Sequence, residues 1–453
     1  MSLASPARRP TLLAPATLAI SLLAACGGRS SPPGPDLGKG GDGGTSGGGG
    51  STLPGPGGGT STSNSTSTTT STTEAPECFA FTVSPVEIVP TPGDARWFTM
   101  ELLPPSNHVL VTYIEGMDGL MRILRAGSAP AFAEWPPALS SFPVLTDDID
   151  SFVTGPGPDG PVAVLTLPSG ENLLAPKIYP DLTVFDFPFA TSIGAFLFAT
   201  SIEDSYLAAQ SYEAPDYDVL SVSSYQSGSL PQGEQPLVCQ TSEIHGAAVP
   251  SGAGFLAAFT EPNSMEPCNP QSLAPGTILG VARYGAESGD VSLTYSVGAK
   301  LDFAEPLVHV AMAPASFGAW LVFQTDGSTS ETQPPVYAAQ IDTTGNLLAG
   351  SDLIALTPGG YQPPDLAVAA LGDTLAFAHI DAIDPSAPTV VLQLVTPDGQ
   401  LGPTTSIPTN DAWYYYGLRL LASPAGNSLL VGWETYSLYD RIALTRVDCV
   451  GGL

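Results

Sequence analysis

From about residue 78 to its end, the chain alternates short apolar runs with turns rich in Gly and Pro. The clearest stretch lies between Leu307 and Thr357. It reads Leu307-Val-His-Val-Ala-Met-Ala-Pro314, then Ala319-Trp-Leu-Val-Phe-Gln-Thr325, then Val336-Tyr-Ala-Ala-Gln-Ile-Asp342. Thr343–Asn346 supplies a turn, and Leu353-Ile-Ala-Leu-Thr357 closes the unit. Runs this short, bounded by turn residues, predict four strands in one antiparallel meander. No capped amphipathic helix of about ten residues or more is visible, so the expected class is all-β.

Imperfect copies recur. Seven pairs of first and second strands are expected. They are Trp97–Leu103 with His108–Tyr113, Ser151–Gly155 with Pro161–Leu167, and Phe187–Ser192 with Ala195–Thr200. Ile244–Val249 with Gly254–Thr260 comes next, followed by the unit at Leu307. Asp365–Leu371 with Thr374–Ile380, and Leu418–Ser423 with Leu429–Thr435, complete the set. His245, His309 and Arg419 each stand five residues before a proline, and the steps His245–His309–Asp365–Arg419 are 64, 56 and 54 residues. Four-stranded units at this period resemble a β-propeller, in which sheets that cannot bury both faces alone pack around an axis. Some 375 residues accommodate seven four-stranded blades. Six blades, or two stacked β-sandwiches, are the other arrangements that fit.

The last repeat has a third strand, Arg441–Asp448, and then the chain nearly ends. Phe79–Val89, just after Cys78, is a strand with no repeat before it. The N-terminal strand is therefore expected to join and complete the last blade. That arrangement sets Cys449, where a third strand ends, beside Cys78, where the fourth begins. With Cys26 assigned elsewhere, four of the five cysteines remain, and an exported chain would pair them. Of the three pairings, Cys78–Cys449 and Cys239–Cys268 are preferred, because the first brackets the folded region and the second lies within the fourth repeat, flanking its first two strands. No metal-ligand spacing occurs among them, and no metal or cofactor is expected.

Residues 1–25 read as a leader. Arg8-Arg9 precede the apolar run Leu12–Leu23, too short to span a membrane, and Leu23-Ala24-Ala25-Cys26 follows. This resembles the lipobox of bacterial lipoproteins, whose Cys is lipidated and becomes the first residue after cleavage. The resemblance implies a lipid on Cys26, and Gly27 in place of Asp implies the outer membrane, with the domain facing periplasm or cell surface. Residues 26–76 are almost all Gly, Ser, Thr and Pro, with no apolar periodicity to offset ordering entropy. They are expected to be a tether reaching roughly 40 Å, leaving 77–453 as the folded domain.

Charge narrows the partners. With 13 basic and 43 acidic residues the net charge is −30, and the lysines are Lys39, Lys177 and Lys300 alone. Nucleic acid binding requires clustered basic side chains, so no nucleic acid partner is expected. A polybasic membrane patch is excluded on the same count.

Candidate chemistry is sparse. First strands of a propeller line its channel, which brings forward His245, His309, Asp365 and Arg419 as ligand-binding residues, with Arg96, Asp150 and Asp186 in looser alignment. Imidazole could act there as a proton carrier, although wet channels carry polar residues without any substrate. His108 and His379 fall on second strands instead. Thr146-Asp-Asp-Ile-Asp150 could attract a cation, and Trp413-Tyr-Tyr-Tyr416 with Tyr436 and Tyr439 could stack on sugars or anchor a protein. The sialidase box, the Gly-x-Ser-x-Gly elbow and the Asp-x-Asp-x-Asp-Gly calcium loop are absent. Asp342-Thr-Thr-Gly345 resembles part of the quinoprotein blade motif but lacks its spacing and Trp, and is better read as a turn. The expected function is a lipid-anchored, monomeric binding or scaffold protein with a glycan or surface-protein partner. The alternative is a propeller lyase or hydrolase acting on polysaccharide through a channel site.

Overall fold

A computed structural model of the chain describes residues 78–89, 95–103, 108–115, 120–126, 139–143, 151–155, 162–166, 172–175, 187–189, 195–202, 205–214, 217–226, 232–252, 254–262, 274–286, 293–326, 336–357, 363, 365–381, 388–409, 417–423, 426–436 and 440–451. These residues are all-β and fall into seven antiparallel sheets. β1 (Cys78–Val83) and β2 (Glu87–Ile88) come first in the chain but belong to the last sheet. The first sheet holds β3 (Ala95–Leu103), β4 (His108–Glu115), β5 (Leu120–Ala126) and β6 (Leu139–Pro143). The second holds β7 (Ser151–Gly155), β8 (Val162–Thr166), β9 (Asn172–Ala175) and β10 (Phe187–Phe189). The third holds β11 (Ala195–Ile202), β12 (Ser205–Ala214), β13 (Tyr217–Gln226) and β14 (Gln232–Gln240).

The fourth sheet follows with β15 (Gly246–Ser251), β16 (Gly254–Pro262), β17 (Gly276–Ala286) and β18 (Leu293–Asp302). β19 (Leu307–Ala315), β20 (Gly318–Thr325), β21 (Tyr337–Asp342) and β22 (Ile354–Ala355) make the fifth. β23 (Leu366–Leu371), β24 (Thr374–Asp381), β25 (Thr389–Val395) and β26 (Leu401–Pro408) make the sixth. The seventh runs β27 (Arg419–Ala422), β28 (Ser428–Tyr436), β29 (Asp440–Gly451) and then β1, with β2 also on β29.

Two sequence expectations need correcting. Phe187–Ser192 is not the first strand of a third repeat. Its Phe187–Phe189 pairs with β9 as the fourth strand of the second sheet, and Ala195–Ile202 opens the third sheet. The partner of β11 is the Ser- and Tyr-rich β12 that follows it, which pairs in turn with β13. Cys239, expected in the fourth repeat, lies on the last strand of the third sheet.

The core lies between sheets. Ala319, Leu321 and Phe323 of β20 pack with Leu256, Ala258 and Val281 of the fourth sheet. Trp320 and Val322 pack with Leu366, Leu375 and Phe377 of the sixth. Alternate residues of one strand thus face opposite neighbours, which explains why every residue of β20 is buried. A sheet apolar on both faces reads as a continuous apolar run, and Gly254–Thr260 on β16 is buried in the same way. Similar clusters join the third to the fourth sheet, the sixth to the seventh, and the seventh to the first.

Polar contacts tie the same neighbours at their turns. Asp373 accepts from the Ser316 N–H and hydroxyl, both at 2.6 Å, and its carbonyl accepts the Trp320 indole N–H at 2.8 Å. Gln340 Nε2 donates to the Pro397 carbonyl at 2.6 Å, and the Ala299 N–H donates to the Gly345 carbonyl at 2.8 Å. First strands of successive sheets are neighbours, from β3 beside β7 through β11, β15, β19 and β23 to β27, and β27 also lies beside β3.

β1 pairs with the C-terminal half of β29, setting Phe81 against Cys449 and Val83 against Val447. Cys78 and Cys449 are disulfide-bonded across 371 residues of sequence, with Cα atoms 5.3 Å apart. Cys239 is also disulfide-bonded. Its expected partner Cys268 lies outside the described residues, as does Cys26.

Candidate functional site

In the fourth to seventh sheets, a polar residue stands near the start of the first strand: His245 and Asp365 just before it, Arg419 at its first position and His309 at its third. The backbone confirms their equivalence in two of these sheets. The His245 carbonyl accepts the Thr260 N–H at 3.0 Å, and the Asp365 carbonyl accepts the Ile380 N–H at 3.2 Å, each donor lying on a second strand. All four residues sit at the same end of their sheets, opposite the turns carrying Ser316, Gly372 and Gly426.

His245 and His309 come together. Their ring centres are 6.2 Å apart and their planes inclined by 37°. A buried relay holds the His245 backbone: its N–H donates to Thr260 Oγ1 at 3.2 Å, and the same hydroxyl accepts Gln240 Nε2 at 3.0 Å. Gln240 Nε2 also donates to the Glu243 carbonyl at 2.8 Å, fixing the loop that delivers His245. Burial, and secondarily the neighbouring His309, push the His245 imidazole down to about 4. At neutral pH His245 is an uncharged lone-pair donor.

Asp365 and Arg419 are otherwise engaged. Asp365 Oδ1 accepts its neighbour Leu366 N–H at 2.8 Å, and Oδ2 accepts the Leu418 N–H at 2.7 Å, bridging the sixth sheet to the seventh. The Arg419 guanidinium lies 6.0 Å from the centre of the Phe98 ring, and Nη1 donates to the Leu418 carbonyl at 2.8 Å. Phe98 is itself held by its N–H donating to Glu434 Oε1 at 3.2 Å, so Arg419 helps dock the seventh sheet on the first. Of the four candidates, the histidines are the ones not committed to bridging sheets.

Other expectations can be placed. His379 lies on second strand β24, stacked on Phe377 at 5.3 Å, and burial pushes it down to about 4 against an upward pull from Asp381. His108 and Arg96 fall on β4 and β3. Asp150, Asp186, the acidic stretch before Ser151, Trp413–Tyr416 and Tyr439 lie outside the described residues. Asp342 caps its own turn, with Oδ1 accepting the N–H groups of Thr344 and Asn346 at 2.8 and 3.0 Å. Among the described residues no three His, Cys, Asp or Glu side chains cluster as a metal site. No described helix is long and apolar enough to cross a membrane. The Gln240 and Thr260 relay was missed in the sequence, although the buried-strand register pairing Gly246 with Phe259 leads directly to it.

No family model matches the chain, and no curated protein matches it. Among solved structures, the WD40 β-propeller domain of Doa1 is similar at 10% identity, covering 80% of this chain and 96% of that one, with a TM-score of 0.40. The WD40 domain of SCAP from fission yeast gives 9% identity, 81% and 90% coverage, and a TM-score of 0.42. YCF48 bound to D1 peptide gives 13% identity, 82% and 99% coverage, and a TM-score of 0.42. These likenesses are loose.

Proposed function

We propose that the chain is a lipid-anchored binding or scaffold protein. Its folded part would be a seven-bladed β-propeller closed by β1 on the last blade, tethered through residues 26–76 to a lipid on Cys26 in the bacterial outer membrane. The closure reading is supported by β1 continuing the order β27-β28-β29 and by the Cys78–Cys449 bridge between the two chain ends. The neighbour series of first strands, in which β27 meets β3, favours a ring over stacked sandwiches. If the full chain yielded Cys78 and Cys449 as free thiols on alkylation mapping, closure would fail. Fatty-acid labelling that persisted in Cys26→Ala would remove the anchor.

The ligand site is assigned to the His245–His309 end of the first strands. One observation carries this: two imidazoles from separate sheets meet there while the adjacent Asp365 and Arg419 are committed to bridging sheets. Two imidazoles beside charges committed to other partners suit binding better than glycoside hydrolysis by the usual pair of carboxylates. The partner is expected to be a glycan or a surface protein. The test is a glycan and surface-protein binding screen of the full chain, repeated with His245→Ala and His309→Ala. Binding indifferent to both changes would end the assignment.

A further inference from the structure

The geometry points to a transition-metal site at the His pair: His245 and His309 together bind one divalent ion of the Cu2+ or Zn2+ type, with water filling its remaining positions. Two imidazoles sharing an ion at about 2.0–2.1 Å keep their ring centres roughly 5–6.5 Å apart, and these centres are 6.2 Å apart. The rings come from two different sheets: His309 lies on β19, and His245 stands just before β15, its backbone held by the Thr260 hydroxyl.

Among the described residues neither ring takes part in a hydrogen bond, although both are more than half buried. Their ring nitrogens are therefore open to a water or an ion. Neutral imidazole is the form that ligates, and it suits Cu, Zn and Ni better than oxygen-seeking Mg or Ca. The surrounding rim favours a cation. Glu243, Asp302, Glu305 and Asp326 flank the pair along the same end of the fourth and fifth sheets. The rim cation of those sheets, Lys300, is bonded to Glu261 at 2.6 Å. A negative rim raises the local concentration of divalent ions.

This deepens the reading of that end as the ligand site, yet its test is separate, because the glycan and protein screen can be run with a chelator present. The full chain, untagged, with free thiols alkylated and metal stripped, is titrated with Cu2+ and followed by electron paramagnetic resonance, with Zn2+ as competitor. The expected result is one saturable site per chain whose nitrogen couplings report two imidazoles. His245→Phe and His309→Phe, which keep a ring without its nitrogens, should each weaken binding by about tenfold or more and leave one coupled imidazole. His108 and His379 remain as internal controls. If His245→Phe misfolds, His309→Phe carries the test. No saturable site, or a site unchanged in His309→Phe, overturns the proposal.

Discussion

At the scale of single residues, two buried histidines make stability depend on pH. Burial lowers both His245 and His379 to about 4, whereas an unfolded chain holds histidine near 6.5. The folded value lies below the unfolded one, so as pH falls the unfolded state takes up protons first. The stabilising contribution is complete above about pH 6.5, declines between there and about pH 4, and is flat below. Each histidine is worth on the order of 2 kcal/mol, reduced by its partial exposure. Urea unfolding with chelator at pH 7.5 and pH 5 should show the loss, and His379→Leu should shrink the difference between the two. An unchanged pH difference in that variant would show that His379 is not among the groups responsible. The sequence pointed to His245 and His309 because a proline five residues on marks the end of each first strand. It could not reveal that Asp365 and Arg419 are committed to Leu418 and Phe98, because those contacts cross between sheets.

At the scale of elements, burial on both faces makes second strands and their turns intolerant. Gly318, at the tight turn between β19 and β20, has φ of +142°, and a Cβ there would lie 2.3 Å from the Ile341 carbonyl oxygen and 2.5 Å from the Asp342 carbonyl carbon. Neither backbone atom can yield without breaking the β20–β21 pairing, where Gly318 faces Asp342. Gly318→Ala is expected to cost more than about 1 kcal/mol, read as a lowered midpoint of thermal unfolding. Trp320 is fully buried and also donates to the Asp373 carbonyl. Trp320→Phe should lose about 1–3 kcal/mol through the unpaired carbonyl and the smaller ring, and Trp320→Ala about 3–5 kcal/mol. A Phe variant as unstable as the Ala variant would mean the hydrogen bond, not the volume, dominates. Strands like β20 were legible because two-sided burial leaves an unbroken apolar run. Edge strands such as β10 were not, because three residues on the outside of a sheet carry too little pattern to say which sheet they join.

At the scale of the molecule, the pairing of β1 with β29 links the first described residues to the last. As an edge strand paired only with β29, β1 could peel away without a covalent lock. Cys78, Phe81, Val83 and Val86 pack against the cluster between the sixth and seventh sheets. Exposing that edge would uncover Leu429, Val431 and Trp433 behind it. The Cys78–Cys449 bridge opposes this mainly by restricting the unfolded chain, and its 371-residue separation makes the effect large, on the order of 5 kcal/mol. The full chain carrying Cys78→Ser and Cys449→Ser is therefore expected to unfold at lower denaturant concentration while keeping the rest of its strand content. Hydrogen exchange should locate the first loss of protection in β1, β2 and β29 and leave the fourth and fifth sheets protected until global unfolding. Because the His245–His309 pair is built on those two sheets, its copper spectrum should survive removal of the bridge under native conditions. Loss of protection starting instead in the fourth sheet would mean that β1 is not the weak edge of the fold.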